Sequence, residues 1–350
     1  MIPAARLHGP CDLRVDEIPH PGDPPPGQVL VRVEVVGVCG SDLHTYRSAR
    51  SGDAQLSSPL ILGHEFAGIV TQTGGECLDG HGRPLAAGTR VAVDPAQPCG
   101  WCEWCQRGDP NLCPNIVFCG VSPYQGALRP FMHVPAATCF PVPRDMDATT
   151  AAMLEPLGVA LHSVDLAKVR LGDRVAVIGT GPIGLCLLRM VAAAGAGTIL
   201  AADQLPWRVR LAERFGPSTA FCTRDTDIVA AVLDATGGRG VDVAFEAAAG
   251  GEALLQAAEM LAPGGRLIAV GIDEDDRFLL RHSTARRKGL TVRMVRRMKH
   301  SYGRALRMVE QGHIDLPALV SHHYPLAEAP AAFAANAVYH EGIIKAVVDC

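Results

Sequence analysis

Cysteine is the residue type that most narrows what this chain could do. The stretch CGWCEWCQRGDPNLC places four thiols, Cys99, Cys102, Cys105 and Cys113, within fifteen residues. Soft thiolates at CxxCxxCx₇C spacing can close round a tetrahedral zinc ion at about 2.3 Å each, and a site of four thiolates leaves no position for water or substrate. The chemistry it offers is structural rather than catalytic. An iron–sulfur cluster is the competing reading of such close CxxC units, and disulfides or unpaired thiols are the third. The remaining cysteines, among them Cys11, Cys77, Cys222 and Cys350, are scattered through the chain. Clustered CxxC units in an intracellular chain read as metal ligands rather than bridges.

A catalytic metal would need a different set of donors. GVCGSDLH, residues 37–44, offers the Cys39 thiol just after a strand-like run, with the Ser41 hydroxyl and the His44 imidazole two and five residues on. LGHEFAG places the His64 imidazole next to the Glu65 carboxylate and beside glycine. LEPLGVALHS holds Glu155 in an otherwise apolar stretch. Singly, each has a plain structural reading: a small apolar thiol, a satisfied histidine, a solvated acid. Together they could form a mixed nitrogen, sulfur and oxygen site with an open position, the catalytic arrangement for zinc.

A third group is glycine-rich. Gly179-Thr-Gly181-Pro182-Ile183-Gly184 follows a strand-like run, opens a helix-like one, and precedes Asp203 at the end of the next strand. In that setting GxGxxG is a dinucleotide fingerprint. Gly179 permits the tight turn, Gly181 lets backbone approach a pyrophosphate, and Gly184 lets helix pack on strand. The helix N-terminus supplies N–H groups and partial positive charge. Asp203 would accept ribose hydroxyls and repel a 2′-phosphate, favouring NAD over NADP, although Arg208 nearby could neutralise that phosphate. A glycine-rich turn with a solvated Asp is the plain alternative.

These groups need elements to position them. At 350 residues, with 48% hydrophobic and 19% charged residues, the chain can bury the cores of about two domains. Residues 27–38 alternate as a strand, with strand-like runs following at 60–62, 66–71 and 90–93, and no long amphipathic helix precedes residue 148. After residue 155 strands (174–179, 198–203, 241–248, 266–272) alternate with helices (157–169, 182–196, 207–216, 226–235, 253–261). That alternation predicts an α/β, doubly wound parallel sheet. It loosens after residue 295 and the chain ends in the strand-like IIKAVV. The loop 45–59 carries no readable chemistry. A net charge of −4 without a basic run gives no support to a nucleic-acid partner. No apolar leader and no window of ~18 uncharged apolar residues is seen, so a soluble, cytoplasmic protein is expected.

GVCGSDLH, LGHEFAG, the 99–113 cysteine lobe, LEPLGVALHS and GTGPIG occur in the order seen in the zinc-dependent medium-chain dehydrogenases, and the chain resembles that family along its whole length. The resemblance implies a GroES-like β-rich catalytic domain over 1–154, a Rossmann NAD-binding domain over 155–295, and a return over 296–350 that completes the catalytic domain. It implies two zinc ions per chain: a structural one on the four-cysteine lobe, and a catalytic one on Cys39 and His64, with Glu65 either a ligand or the group orienting His64, and Glu155 either a ligand or the holder of the zinc-bound water. Glu155 stands where the simple alcohol enzymes have a second cysteine, which places the chain nearer the sorbitol and polyol branch. Ser41 and His44 match the proton-relay positions, and His44 can change charge near neutral pH. Val270, Gly271, Ile272, Val295 and Arg296 match cofactor contacts, and Tyr46, Glu155 and Arg296 fall in the substrate region. Arg297 stands where the polyol enzymes often have Tyr. The implied reaction is NAD-dependent oxidation of a secondary alcohol to a ketone, in a homodimer or homotetramer. An amino alcohol (threonine or an aminocyclitol) is the same-chemistry rival. A non-catalytic zinc protein is the rival from another class.

Overall fold

The computed structural model describes all residues except 52, 53, 274–276 and 278; the first two belong to the loop 45–59. The described chain forms two compact units. One comprises Met1–Glu155, Tyr302–Leu306 and Asp315–Cys350, the other Pro156–Ser301 and Arg307–Ile314.

The first unit is built on the strand Gln28–Gly37, whose valines alternate into a core with Phe66, Leu128 and Phe333. It pairs antiparallel with Glu65–Thr73 on one side. On the other side its first half pairs with Phe131–Pro135 and its last residues with Ala346–Asp349. Arg90–Val93, Cys139–Pro141 and His322–Pro325 extend the sheet. This is the GroES-like β fold. The final strand enters the sheet because Val347 and Val348 are fully buried, so residues more than 300 positions apart share one core. A nine-residue helix, Gly40–Ser48, follows the central strand directly. It was not legible as a helix because its sequence carries no apolar stripe.

The second unit is a six-stranded, all-parallel sheet in the spatial order Thr219–Cys222, Thr198–Asp203, Arg174–Ile178, Val241–Glu246, Leu261–Ala269, Thr291–Met294. Numbered along the chain this is 3-2-1-4-5-6, the doubly wound order of dinucleotide-binding sheets. Strands buried on both faces read as apolar runs, which is why RVAVI and TILAAD could be recognised. Thr219–Cys222 escaped notice: four residues at the sheet edge, none fully buried, give no such run. The order reverses beside Arg174–Ile178, and the glycine loop sits at the end of that strand. Gly179 has φ +90°, and a Cβ there would lie 2.6 Å from the Ala247 carbonyl. A Cβ on Gly184 would collide with the Gly179 carbonyl oxygen.

Gly184→Ala is therefore expected to destabilise the second unit by about 1–3 kcal/mol, because rigid backbone cannot move aside. A lowered unfolding midpoint by calorimetry checks this; an unchanged midpoint would show that the loop relaxes.

Candidate metal and dinucleotide sites

Sheet register brings the first donors together. Gly37 pairs with Glu65, so the residues just beyond one strand and just before the other meet at the same end of the sheet. Donor atoms of Cys39, His64 and Glu65 consequently lie within 4.8 Å of one another. The close approach needs glycine: a Cβ on Gly37 would strike the Glu65 carboxylate, and one on Gly63 (φ +92°) would lie 2.6 Å from Val36.

Asp42 ties these residues together. It sits in the first turn of Gly40–Ser48; one carboxylate oxygen accepts the Cys39 N–H at 3.0 Å, the other the Gly63 N–H at 3.3 Å and the His64 Nδ1 at 3.2 Å. Burial resists ionisation of Asp42, but the charge of His64 holds its pKa below the ordinary carboxylate value. Burial likewise works against a charged His64, and the charges of Asp42 and Cys39 overcome it, raising its pKa well above the usual value. A carboxylate on one ring nitrogen fixes the orientation of the imidazole and leaves the other for a ligand.

Lys345 completes the cluster. Its Nζ donates to both Glu65 oxygens, at 2.6 and 2.9 Å, and to the Val38 carbonyl at 3.0 Å. Glu155, at the start of the helix Leu154–Ala167, is buried nearby but is not among the three clustered donors. Burial raises its pKa to about 8, with the Glu65 charge adding to the rise and that of His64 opposing it. Ser41 and His44 lie on one face of Gly40–Ser48, both half-buried. Tyr46, on the same helix, is in the core with its ring 5.6 Å from that of Phe333.

The four-cysteine lobe forms a second cluster. Sγ atoms of Cys102 and Cys105 are 3.5 Å apart, Cys102 and Cys113 3.8 Å, Cys113 and Cys99 3.6 Å. A tetrahedron of four bonds of about 2.3 Å has edges of about 3.8 Å, so the thiols have the spacing a zinc ion needs. Desolvation opposes ionisation of Cys99 and Cys105. Backbone N–H groups of Trp101 and Cys102 nevertheless draw Cys99 down to about 6, while desolvation and the Cys102 thiol push Cys105 up to about 12. Four thiolates this close need a divalent cation to be ionised together. The Cys39–His64–Glu65 donors, one thiolate, one oriented imidazole and a carboxylate, suit the same metal with a position left open.

In the second unit Asp203 is buried at the end of Thr198–Asp203. Its Oδ2 accepts the Thr180 N–H at 2.8 Å and the Thr180 hydroxyl at 3.3 Å, its Oδ1 accepts the Leu205 N–H at 2.9 Å, and Arg208 Nη1 lies 3.9 Å away. Gly181 caps a helix that has Pro182 and Ile183 in its first turn, where free N–H groups suit a pyrophosphate. Gly271, Ile272 and Val295 line a cavity of about 330 Å³ together with Glu246 and Met294, and Val270 precedes them on the same turn. Arg296 is exposed to solvent. Its neighbour Arg297 turns inward instead, with φ +57° and a solvent-shielded Nη1.

Two residues of these sites were missed in the sequence. Asp42 lay unused inside GVCGSDLH, where an acid three residues into a helix signals a cap. Lys345 was the single cation in the apolar run IIKAVV, a pattern that demands a buried partner.

Comparison with known proteins agrees with this construction. Residues 25–144 match the family described as alcohol dehydrogenase GroES-like domain, and residues 182–311 that described as zinc-binding dehydrogenase. The chain is similar to the sorbitol dehydrogenase of Bacillus subtilis (strain 168), 31% identical over 345 residues, which are 99% of this chain and 96% of that protein. It is similar to the L-arabinitol 4-dehydrogenase of Aureobasidium melanogenum, 33% identical over 331 residues, covering 93% and 88%. A structure from Sinorhizobium meliloti 1021 solved bound to NADP matches with TM-score 0.90 and 30% identity over 100% of this chain and 99% of that one. The chain belongs to the zinc-containing medium-chain alcohol dehydrogenase family. Its class of activity is that of a zinc-dependent alcohol or polyol dehydrogenase. Among the described residues, no helix is long and apolar enough to cross a membrane.

The two clusters should respond differently to loss of a thiol. Cys39→Ser is expected to abolish turnover while the unfolding midpoint changes little and one zinc is lost. Cys105→Ser is expected to lower the midpoint and remove the other zinc. Metal analysis with calorimetry checks both, and the opposite pairing would reverse the assignment of the sites.

Proposed function

We propose that the protein oxidises a secondary hydroxyl of a polyol or vicinal diol to a ketone, with NAD as acceptor. The observation that carries this is the Cys39–His64–Glu65 cluster, its thiol half-buried and its imidazole and carboxylate buried, with Glu155 beside it, in a chain similar over nearly its whole length to sorbitol and L-arabinitol dehydrogenases. Cys39 and His64 are assigned as ligands of a catalytic zinc, and Cys99, Cys102, Cys105 and Cys113 as holders of a structural one. When bound, the catalytic metal supplies Lewis acidity toward the substrate hydroxyl and the nicotinamide accepts the hydride.

The chain's own residues do the rest. Asp42 holds the His64 ring in place, and Lys345 keeps the Glu65 carboxylate paired. Glu155, with its raised pKa, holds or passes a proton beside the donors. Ser41 and His44, one helical turn apart, carry the substrate proton toward solvent. Gly179, Gly181 and Gly184 shape the turn and helix start whose N–H groups would hold the pyrophosphate. Asp203 receives the adenosine ribose and disfavours a 2′-phosphate, which supports NAD over NADP; Arg208, 3.9 Å away, works against that preference.

The test is metal analysis together with a panel of polyols, vicinal diols and amino alcohols, run with NAD and with NADP and followed by reduced-cofactor absorbance. Two zinc ions per chain and NAD-linked turnover of a polyol or diol are expected. Turnover confined to amino alcohols would move the substrate class, and two bound zinc ions without any turnover would overturn the proposal.

A further inference from the structure

Glu246 is an acid buried to 4% exposure at the end of the fourth strand of the parallel sheet, outside the metal and proton chemistry above. A buried carboxylate is costly unless hydrogen-bonded, and its bonds join three segments. One side-chain oxygen, Oε1, accepts both the Ala248 and the Ala249 N–H groups, each at 2.8 Å. Its backbone carbonyl accepts the Val270 N–H at 2.8 Å and the Gly271 N–H at 3.0 Å. The loop pinned this way packs on the glycine loop: Ala247 donates to the Ile178 carbonyl at 2.7 Å, and a Cβ on Gly179 would lie 2.6 Å from the Ala247 carbonyl. Space at the junction is fully used, since a Cβ on Gly271 would lie 2.6 Å from the Ala249 nitrogen and 2.8 Å from Glu246 Oε1. Ala249 is held at φ +55°, a conformation that a non-glycine residue adopts only when its surroundings fix it. Glu246 also borders the 330 Å³ cavity beside Gly271, Ile272 and Val295.

We infer that Glu246 is a positioning residue for the dinucleotide. Its carboxylate holds the loop 247–249, which packs on the glycine loop, while its backbone carbonyl holds the 270–272 turn, so the two ends of the cofactor surface keep a fixed relation. Two amides on one acceptor supply this, and an apolar side chain of the same size could not. The inference rests on the reading that this unit binds NAD.

Titration calorimetry of the zinc-loaded chain with NAD tests it, using Glu246→Ala and Glu246→Gln. The Gln amide oxygen can still accept both N–H groups, whereas Ala cannot. Glu246→Ala is expected to raise the NAD Kd and KM about tenfold or more, with zinc content and kcat at saturating NAD retained. Glu246→Gln is expected to stay within about twofold of the unvaried chain, as the conserved acceptor geometry requires. An unchanged Kd in Glu246→Ala, or equal weakening in Glu246→Gln, overturns the inference. If Glu246→Ala does not fold, Gly271→Ala probes the same junction: a raised Kd with zinc retained supports the assignment, and an unchanged Kd overturns it. Failure of the unvaried chain to bind NAD would overturn both this inference and the cofactor reading, which separates that failure from one confined to Glu246.

Discussion

The ion pair between Lys345 and Glu65 is the contact on which the first unit's chemistry depends. Both side chains are almost completely buried, at 3% and 2% exposure, and the ammonium is shared between the carboxylate and the Val38 carbonyl. Burial works against the charge of Lys345; the Glu65 carboxylate more than restores it, so its pKa is raised. A buried pair of this kind is weak as a source of stability, but removing one member leaves an uncompensated charge and costs about 3–5 kcal/mol. Its value here is positional. Val38 follows the central strand just before Cys39, Glu65 opens the neighbouring strand just after His64, and Lys345 precedes the last strand of the chain. One cation thus fixes the ends of three strands, and the donor cluster is complete only when the C-terminal segment has folded back.

Asp42 performs the matching task from the other side. A helix cap would need only the bond to the Cys39 N–H; the additional bonds to Gly63 and His64 turn a cap into a clamp across two segments. The cluster is therefore rigid through its backbone as well as its side chains. The four-cysteine lobe differs in kind. Its thiols are contributed by one short loop and depend on no distant strand, which suits a metal that holds local structure.

The second unit uses buried carboxylates in a comparable way. Asp203 binds the Thr180 and Leu205 amides and lies beside Arg208, while Glu246 binds the Ala248 and Ala249 amides. Each sits at the C-terminal end of a strand next to the point where the sheet order reverses. Parallel sheets place their ligand crevices there, because loops from adjacent strands diverge at that point. Acids at those ends fix loops that regular sheet hydrogen bonding no longer reaches.

By itself, the sequence determined the fold class, the parallel sheet, the glycine loop and the four-cysteine lobe. All of these are local: strand-length apolar runs, spacing within one turn, or four thiols on one loop. Cys39, His64 and Glu155 could be nominated from their motifs, but nothing in a linear pattern states how near they come to one another. The tertiary structure decided that Glu65 is paired with a lysine some 280 positions away, that Asp42 serves two segments, that Tyr46 packs in the core, and that Arg297 rather than Arg296 turns inward. These outcomes depend on strand register and on backbone conformation fixed by distant packing. Side chains that meet only after the chain's last strand enters the first unit's sheet leave no periodicity or spacing to read.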